Sequence, residues 1–177
     1  DEETVVTADS GNNRFWLLQY LQTPGTRTYF GSGGVGAMGW AVPAGVAAAL
    51  ATDRSAVAVA GDGGFTMTMT SLETAVEHGL GVTVVVLNDT SLGMVRQMQD
   101  DDEISGVEFH DTDFTKIAEA FGARATQVVT PDGLADALAE GTSADVPFII
   151  DVRIDRDEEM VRSLQSSFYE SVGGIHE

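Results

Sequence analysis

Two continuous apolar runs, residues 55–60 and 82–87, do most to limit what this 177-residue chain can become. Neither alternates between apolar and polar residues. Strands of that kind are covered on both faces, as in a parallel sheet packed by helices on each side. Each run stops abruptly, the first at Gly61-Asp62-Gly63-Gly64 and the second at Asn88-Asp89. Neighbouring parallel strands bring their carboxyl ends to one edge, where α/β proteins bind ligands. Oxygen side chains and bare glycine amides are therefore predicted to meet at one place. Such a set suits a hard cation such as Mg²⁺ holding a diphosphate, because Mg²⁺ takes oxygen ligands and shares phosphates with the protein.

The segments between these runs read as helices and further strands. Residues 15–21 and the Ala-rich residues 42–50 have helical character. Thr70 and Glu73 make a capping-box pattern, and Leu72, Ala75, Val76 and Leu80 then share one helical face. Phe114, Ile117, Ala118 and Phe121 form a second stripe. Thr130-Pro131 reads as a helix start. Residues 27–30, 125–129 and 146–152 are the other strand candidates, after the short run Val5-Val6-Thr7. Strands and helices alternate, which predicts an α/β fold: a doubly wound, mostly parallel sheet flanked by helices on both faces, in three layers. Asp100-Asp101-Asp102-Glu103 reads as a solvated loop, residues 158–169 as a peripheral helix, and the tail from 173 as loose. The reading is one domain over residues 1–177, with its core at about 4–155 and a peripheral segment at 156–177. The chain does not begin with Met, so it is expected to be a fragment or a subunit of a larger protein.

Composition narrows the function. There is no Cys, which excludes disulfides and thiolate metal sites. The net charge is −19, from 28 acidic and 9 basic residues, and Lys116 is the single lysine. Nucleic-acid binding needs clusters of Lys and Arg, so that role is not expected. No apolar run reaches the length of a membrane span, and no secretory leader is visible at Asp1-Glu2-Glu3; the expected location is the cytoplasm. An acidic, Lys-poor chain with a strong apolar pattern fits a salt-loaded cytoplasm, and a halophilic source is expected.

The glycine stretch contains Gly31-x-Gly33-x-x-Gly36 and Gly34-x-Gly36-x-x-Gly39, both of which match the dinucleotide fingerprint. That fingerprint also requires a good preceding strand and an acidic residue about twenty positions on. The preceding strand candidate is short and Asp62 is too far. Asp62 itself could be a turn carboxylate capping Gly63 and Gly64, and Asn88-Asp89 an ordinary turn. His78, His110 and His176 have no spacing that suggests a metal site or a triad.

The spacing carries a resemblance as well. Gly61-Asp62-Gly63, twenty-four residues, then Asn88-Asp89 resembles the thiamine-diphosphate motif. Ser32-Gly33-Gly34-Val35-Gly36-Ala37-Met38-Gly39, Leu92-Gly93-Met94-Val95-Arg96-Gln97 and the opening Val5-Val6-Thr7-Ala8-Asp9-Ser10-Gly11-Asn12-Asn13 are similar to acetolactate synthase and its relatives. The similarity spans roughly residues 4 to 155. It implies thiamine diphosphate and Mg²⁺ as cofactors, with Asp62, Asp89 and the Ser91 carbonyl on the metal. Gly11, Asn12, Asn13, Gly63 and Gly64 would serve the diphosphate, and Asn88, partner of Asp62 with Asp89, would also bind the cofactor. The Gly36 carbonyl and the Met38 N–H would meet the aminopyrimidine, with the Met38 side chain wedged between the two rings. Gly93 and Met94 would lie near the thiazolium and the substrate.

The chain departs from that pattern in two places. Asp89 stands where the second Asn is usual, which adds negative charge beside a diphosphate. Met98 stands where acetolactate synthases carry Trp. Met94 and Met98 could also be plain core. The resemblance implies a 2-oxo acid decarboxylase and carboligase. Its activating Glu would come from a separate pyrimidine-binding domain, in a homodimer or larger oligomer, so no catalytic residue is expected in this chain. Other branches, benzoylformate-type or sulfopyruvate-type, and a non-catalytic nucleotide- or partner-binding domain remain as alternatives.

The charge yields a direct test. Screening of like charges at about 1 M KCl, where the Debye length is ~3 Å, should raise the thermal unfolding midpoint above that at about 0.1 M. A rise of more than about 5 °C is expected by circular dichroism; a salt-independent midpoint would remove the halophilic reading.

Overall fold

The computed structural model describes residues 2–52 and 54–158. The helix expected over 158–169 and the loose tail therefore lie outside the described residues, apart from Glu158 itself. Six strands form one sheet: β1 (Val5–Ala8), β2 (Tyr29–Gly31), β3 (Ala56–Gly61), β4 (Val82–Asn88), β5 (Arg124–Val128) and β6 (Phe148–Arg153). Their spatial order is β2-β1-β3-β4-β6-β5, and every pairing is parallel. Seven helices connect them: α1 (Asn12–Tyr20), α2 (Ala41–Thr52), α3 (Asp62–Thr68), α4 (Ser71–Glu77), α5 (Gly93–Arg96), α6 (Phe114–Phe121) and α7 (Pro131–Thr142).

Alternating residues of the buried strands sort into two cores. Ala56, Ala58, Ala60, Val82, Val84, Val86 and Ile149 meet Val42, Val46, Phe65, Leu72, Phe114 and Ala118, which come from α2, α3, α4 and α6. Val57, Val59, Val85, Phe148, Ile150 and Val152 meet Leu17, Leu134, Ala137 and Leu138 from α1 and α7. The sheet thus lies between two helical layers, the three-layer arrangement expected from the sequence. Right-handed crossovers account for the sorting. Connections running one way along the sheet place α2, α3, α4 and α6 on one face; the reverse connections, β1 to β2 and β5 to β6, place α1 and α7 on the other. The direction reverses beside β1, so the loops after β1 and β3 part there and leave a crevice at the strands' carboxyl ends.

Local sequence explains most helix boundaries. The Thr130 hydroxyl accepts the Gly133 N–H at 3.2 Å, with Pro131 opening α7. Asp113 caps α6 through the Lys116 N–H, and Gly122 ends it at φ 87°. The capping box at Thr70 and Glu73 is not formed. Thr70 is itself helical (φ −60°, ψ −17°), makes no side-chain cap, and carries the chain almost directly from α3 into α4. Leu80 lies beyond α4 but still packs on the core. The acidic run 100–103 holds a short 3-10 turn over Asp101–Glu103, and Asp100, Asp102 and Glu103 are exposed, as a solvated loop requires.

Phe65 is fully buried and meets the Phe114 ring edge-on, with centroids 5.3 Å apart. It anchors α3, the helix that carries Asp62. Phe65→Ala should cost about 3–5 kcal/mol of stability in urea unfolding. A loss below about 1 kcal/mol would show that α3 is held by something else.

Candidate cofactor site

The structure gathers the loops after β1, β3 and β4 around a cleft of about 670 Å³. Of the residues singled out in the sequence, Gly11, Asn12, Asn13, Gly36, Met38, Asp62, Gly63, Gly64, Asp89, Ser91, Gly93 and Met94 all line it. Asn88 does not. It is buried behind the turn, where its Nδ2 donates to Asp151 Oδ1 at 2.9 Å and its Oδ1 accepts the Thr90 N–H at 3.1 Å. Met98 also lies outside the lining and is 42% exposed, so it is neither cleft nor core. Sequence reasoning missed the apolar and acidic parts of the wall: Trp16, Leu92, Ile154, Asp155 and Glu158. Trp16 sits in the stretch read as helix and Ile154 two residues past the strand candidate 146–152, but nothing in their spacing marks them as cleft-facing.

The geometry begins with Asp9 at the end of β1. Its carboxylate is wholly buried and accepts the N–H groups of Ser10 at 2.8 Å, Gly39 at 2.9 Å and Trp40 at 3.2 Å. Burial raises its pKa, while these amides pull it back down. The loop after β1 is thereby tied to the end of the glycine stretch. The same carboxylate sits against α3, because a Cβ on Gly64 would lie 2.3 Å from Asp9 Oδ2. Only glycine fits at that approach.

Asp62 opens α3 and is 3% exposed; its Oδ1 accepts the Gly63 N–H at 2.7 Å. Asp89 follows β4, and its Oδ1 accepts the Ser91 N–H at 3.0 Å. Thr90 between them adopts φ 58°, an uncommon conformation for a β-branched residue. The turn is fixed from outside. The Phe109 N–H donates to the Thr90 carbonyl and the Leu92 N–H to the Val107 carbonyl, both at 2.8 Å. Arg156 donates to the Thr90 hydroxyl at 2.8 Å and to the Asp89 carbonyl at 3.3 Å. Gly93 leaves room for the Asp89 carboxylate, since a Cβ on it would lie 2.4 Å from Asp89 Oδ2 and push that side chain aside.

Burial pushes the Asp62 carboxyl up to about 7, with the Asp89 charge adding to the rise and backbone amides of Gly63, Ser91 and Thr90 opposing it. Asp89 is also raised by burial, against hydrogen bonds from Ser91 and the charge of Arg156. Two carboxylates that resist ionising together are the arrangement a divalent cation relieves. Among the described residues no group of three or more His, Asp and Glu side chains gathers as a metal cluster. A cation here would therefore use the two carboxylates with backbone oxygen such as the Ser91 carbonyl. Among the described residues the buried side-chain oxygens of Asn12 and Asn13 have no partner, while their NH₂ groups donate to Gln97 Oε1 at 3.1 Å and to the Ser10 carbonyl at 3.5 Å; an amide turned over would offer its NH₂ to a phosphate instead. With Met38, Leu92 and Met94 giving an apolar wall beside them, the residues present fit a cation, a phosphate group and a ring system together.

Fold and cleft define a parallel α/β cofactor-binding domain with its site at the topological switch point. Residues 9–152 match the family described as thiamine pyrophosphate enzyme, C-terminal TPP binding domain, and the chain belongs to that family. It is 33% identical to a probable acetolactate synthase large subunit of Methanococcus aeolicus over 88% of its length, covering 27% of that protein. It is 37% identical to an acetolactate synthase of Bacillus subtilis over 88% of its length, covering 28% of that one. With the acetolactate synthase large subunit of Lactococcus lactis the identity is 32% over 98% of the chain and 31% of the relative. The chain thus spans about a quarter to a third of the length of these relatives. No helix of the described residues is long and apolar enough to cross a membrane.

The Asp62 shift carries a stability consequence with a defined sign. A carboxyl whose folded pKa is raised binds its proton more tightly folded than unfolded. Stability therefore falls as pH rises from about 4, the unfolded value, to about 7. Asp62→Asn removes that loss and keeps an oxygen for the Gly63 N–H. In the metal-free protein at pH 8 it should unfold about 2 kcal/mol harder than the parent, with the difference vanishing near pH 4. Equal stability of the two at pH 8 would refute the assignment.

Proposed function

We propose that this domain is the diphosphate- and Mg²⁺-binding part of a thiamine-diphosphate-dependent, acetolactate synthase-like enzyme that decarboxylates a small 2-oxo acid and joins the product to an acceptor. The observation that carries the reading is the charge of the cleft. Asp62, Asp89, Asp155 and Glu158 line it, and no Lys or Arg does among the described lining residues. A diphosphate can occupy such a cleft only together with a cation that the carboxylates hold. The names of the relatives favour the acetolactate synthase branch; Met98 in place of the usual Trp is the feature that keeps the other decarboxylase branches in view.

In this reading Asp62, Asp89 and the Ser91 carbonyl hold Mg²⁺. Gly63 and Gly64 present bare backbone, and Asn12 and Asn13 donate their NH₂ groups to the diphosphate after turning them from Gln97 and Ser10. Gly36 and Met38 receive the pyrimidine, and Gly93 and Met94 face the reacting end. Asn88 serves from behind the turn. Bound there, thiamine diphosphate would supply the electron sink for breaking the carbon–carbon bond of the 2-oxo acid. The apolar walls from Met38, Leu92 and Met94 would exclude water from that end. The activating Glu would come from a pyrimidine-binding domain, in the same chain or a partner subunit, so this chain alone would be inactive. Exposed apolar residues beside the cleft support such a neighbour: Val35 is 97% exposed, Met67 60% and Phe109 41%. A cytoplasmic oligomer, at least a homodimer, completes the proposal.

Calorimetric titration of the intact protein with thiamine diphosphate at high KCl tests it. Binding should require Mg²⁺ and disappear in Asp62→Ala. Asp89→Asn should weaken Mg²⁺ and ease diphosphate binding, because it removes one negative charge from the site. Binding that is indifferent to both Mg²⁺ and Asp62 would sink the reading and favour a site for some other nucleotide.

A further inference from the structure

Asp151 lies in the middle of β6, wholly buried, on the sheet face otherwise lined by Val84, Val86 and Ile149. A buried carboxylate among such residues is costly unless its oxygens are satisfied. Its nearest cation among the described ion pairs is Arg153 Nε, 4.0 Å away and beyond hydrogen-bond reach. Its hydrogen bonds go to two neutral amides: Asn88 Nδ2 to Oδ1 at 2.9 Å and Gln127 Nε2 to Oδ2 at 2.8 Å. Register explains the row. Asp151 pairs with Gln127 on one side and Val86 on the other, and Asn88 lies two residues past Val86 on the same face.

The row has a direction. A carboxylate only accepts, so Asn88 must present its NH₂ to Asp151 and its carbonyl to the other side. That carbonyl accepts the Thr90 N–H at 3.1 Å, in the residue whose φ of 58° shapes the turn between Asp89 and Ser91. We propose that Asp151, which does not touch the cleft, is a positioning residue: through Asn88 it locks the strained Thr90 turn that presents Asp89 and the Ser91 carbonyl to the metal. Asparagine is the residue that can donate to the carboxylate and accept from the amide at this reach. Gln127 holds the far oxygen of Asp151 so that the near one stays aimed at Asn88. The inference rests on the metal site proposed above.

Mn²⁺ titration of the intact protein with thiamine diphosphate present, followed by the electron paramagnetic resonance of free Mn²⁺, separates the two. Asp62→Ala reports on the site: Mn²⁺ binding unchanged in that variant would overturn the site and this proposal with it. With the site in place, Asp151→Leu, which can accept from neither Asn88 nor Gln127, should weaken Mn²⁺ about tenfold, as for other partners that orient metal ligands from behind. In an Asn88→Leu background it should cost nothing more, since its route to the turn is gone. The exchanged pair Asn88→Asp with Asp151→Asn rebuilds the bond between the two with donor and acceptor reversed and leaves an oxygen at 88 for the Thr90 N–H and one at 151 for Gln127, and should return affinity to within about threefold of the parent. An effect of Asp151→Leu that persists in the Asn88→Leu background would mean that the Asp151 charge acts through space, and overturns the proposal. So does parental Mn²⁺ affinity in Asp151→Leu. Should Asn88→Leu fail to fold, rescue by the exchanged pair, or its failure, decides.

Discussion

The cleft depends on one buried carboxylate that never faces it. Asp9 terminates β1 and accepts three backbone N–H groups, from its own loop and from the entry to α2. It also touches α3 at Gly64. Three connections that are far apart in sequence are joined at this residue, beside the point where the sheet changes winding direction. Burying a charge is tolerable here because several amides share it, and charge-assisted hydrogen bonds of that kind are among the stronger ones in proteins. The close approach of α2 to the sheet follows the same logic of small residues. A Cβ on Gly45 would come within 3.1 Å of the Ala58 side chain and 3.2 Å of the Thr7 hydroxyl. Alanine along one face of β3 lets the helix settle, and the settled helix fixes the loop that Asp9 holds.

The turn after β4 works against its own local preferences. Thr90 occupies left-handed backbone, and Asp89 lies in the field of Asp62. Strain of this kind persists where surroundings over-determine it. Here the restraints come from three parts of the chain: Asn88, residues 107–109 and Arg156. Each removes one way for the turn to relax. The consequence is a pair of carboxylates held ready before any ligand arrives, so little reorganisation is left for the binding step.

How legible this was in the sequence can be judged residue by residue. Residues 82–87 are apolar without alternation, so burial on both faces and a parallel sheet followed, and β4 lies in the middle of the sheet. Glycine and carboxylate at the ends of two adjacent strands were enough to bring Asp62 and Asp89 to one edge. Thr70 and Glu73 misled because a capping pattern says only what a free helix start would use. The chain arrives at Thr70 already helical, with no open amides for the hydroxyl to serve. Asn88 and Asp89 are neighbours of similar polarity, and sequence does not say which one the pleat turns inward. The pleat sends Asn88 to Asp151, more than sixty residues on, and leaves Asp89 at the cleft. Arg156 is the same kind of case: its partners Asp89, Thr90 and Glu108 are set by tertiary approach alone.

The carboxylate at position 89 makes better sense in the setting of the whole chain. Replacing the usual amide by an acid brings a second full charge beside Asp62, and Asp155 and Glu158 border the same cleft. Arg156 lies next to the turn and lowers the cost of that charge, but it points at the backbone and the Thr90 hydroxyl rather than into the cleft. The electrostatic field of the cleft thus favours cations first and anions only afterwards. A net charge of −19 spread over the surface acts in the same direction, drawing cations toward the molecule as a whole. In a dilute medium this would strain the empty site. In concentrated salt the diffuse repulsion is screened within a few ångströms, whereas the contact between two buried carboxylates and a bound cation is not. The acidic surface and the acidic site therefore respond differently to salt, and a salt-rich interior would relieve the first while leaving the second selective for the divalent ion.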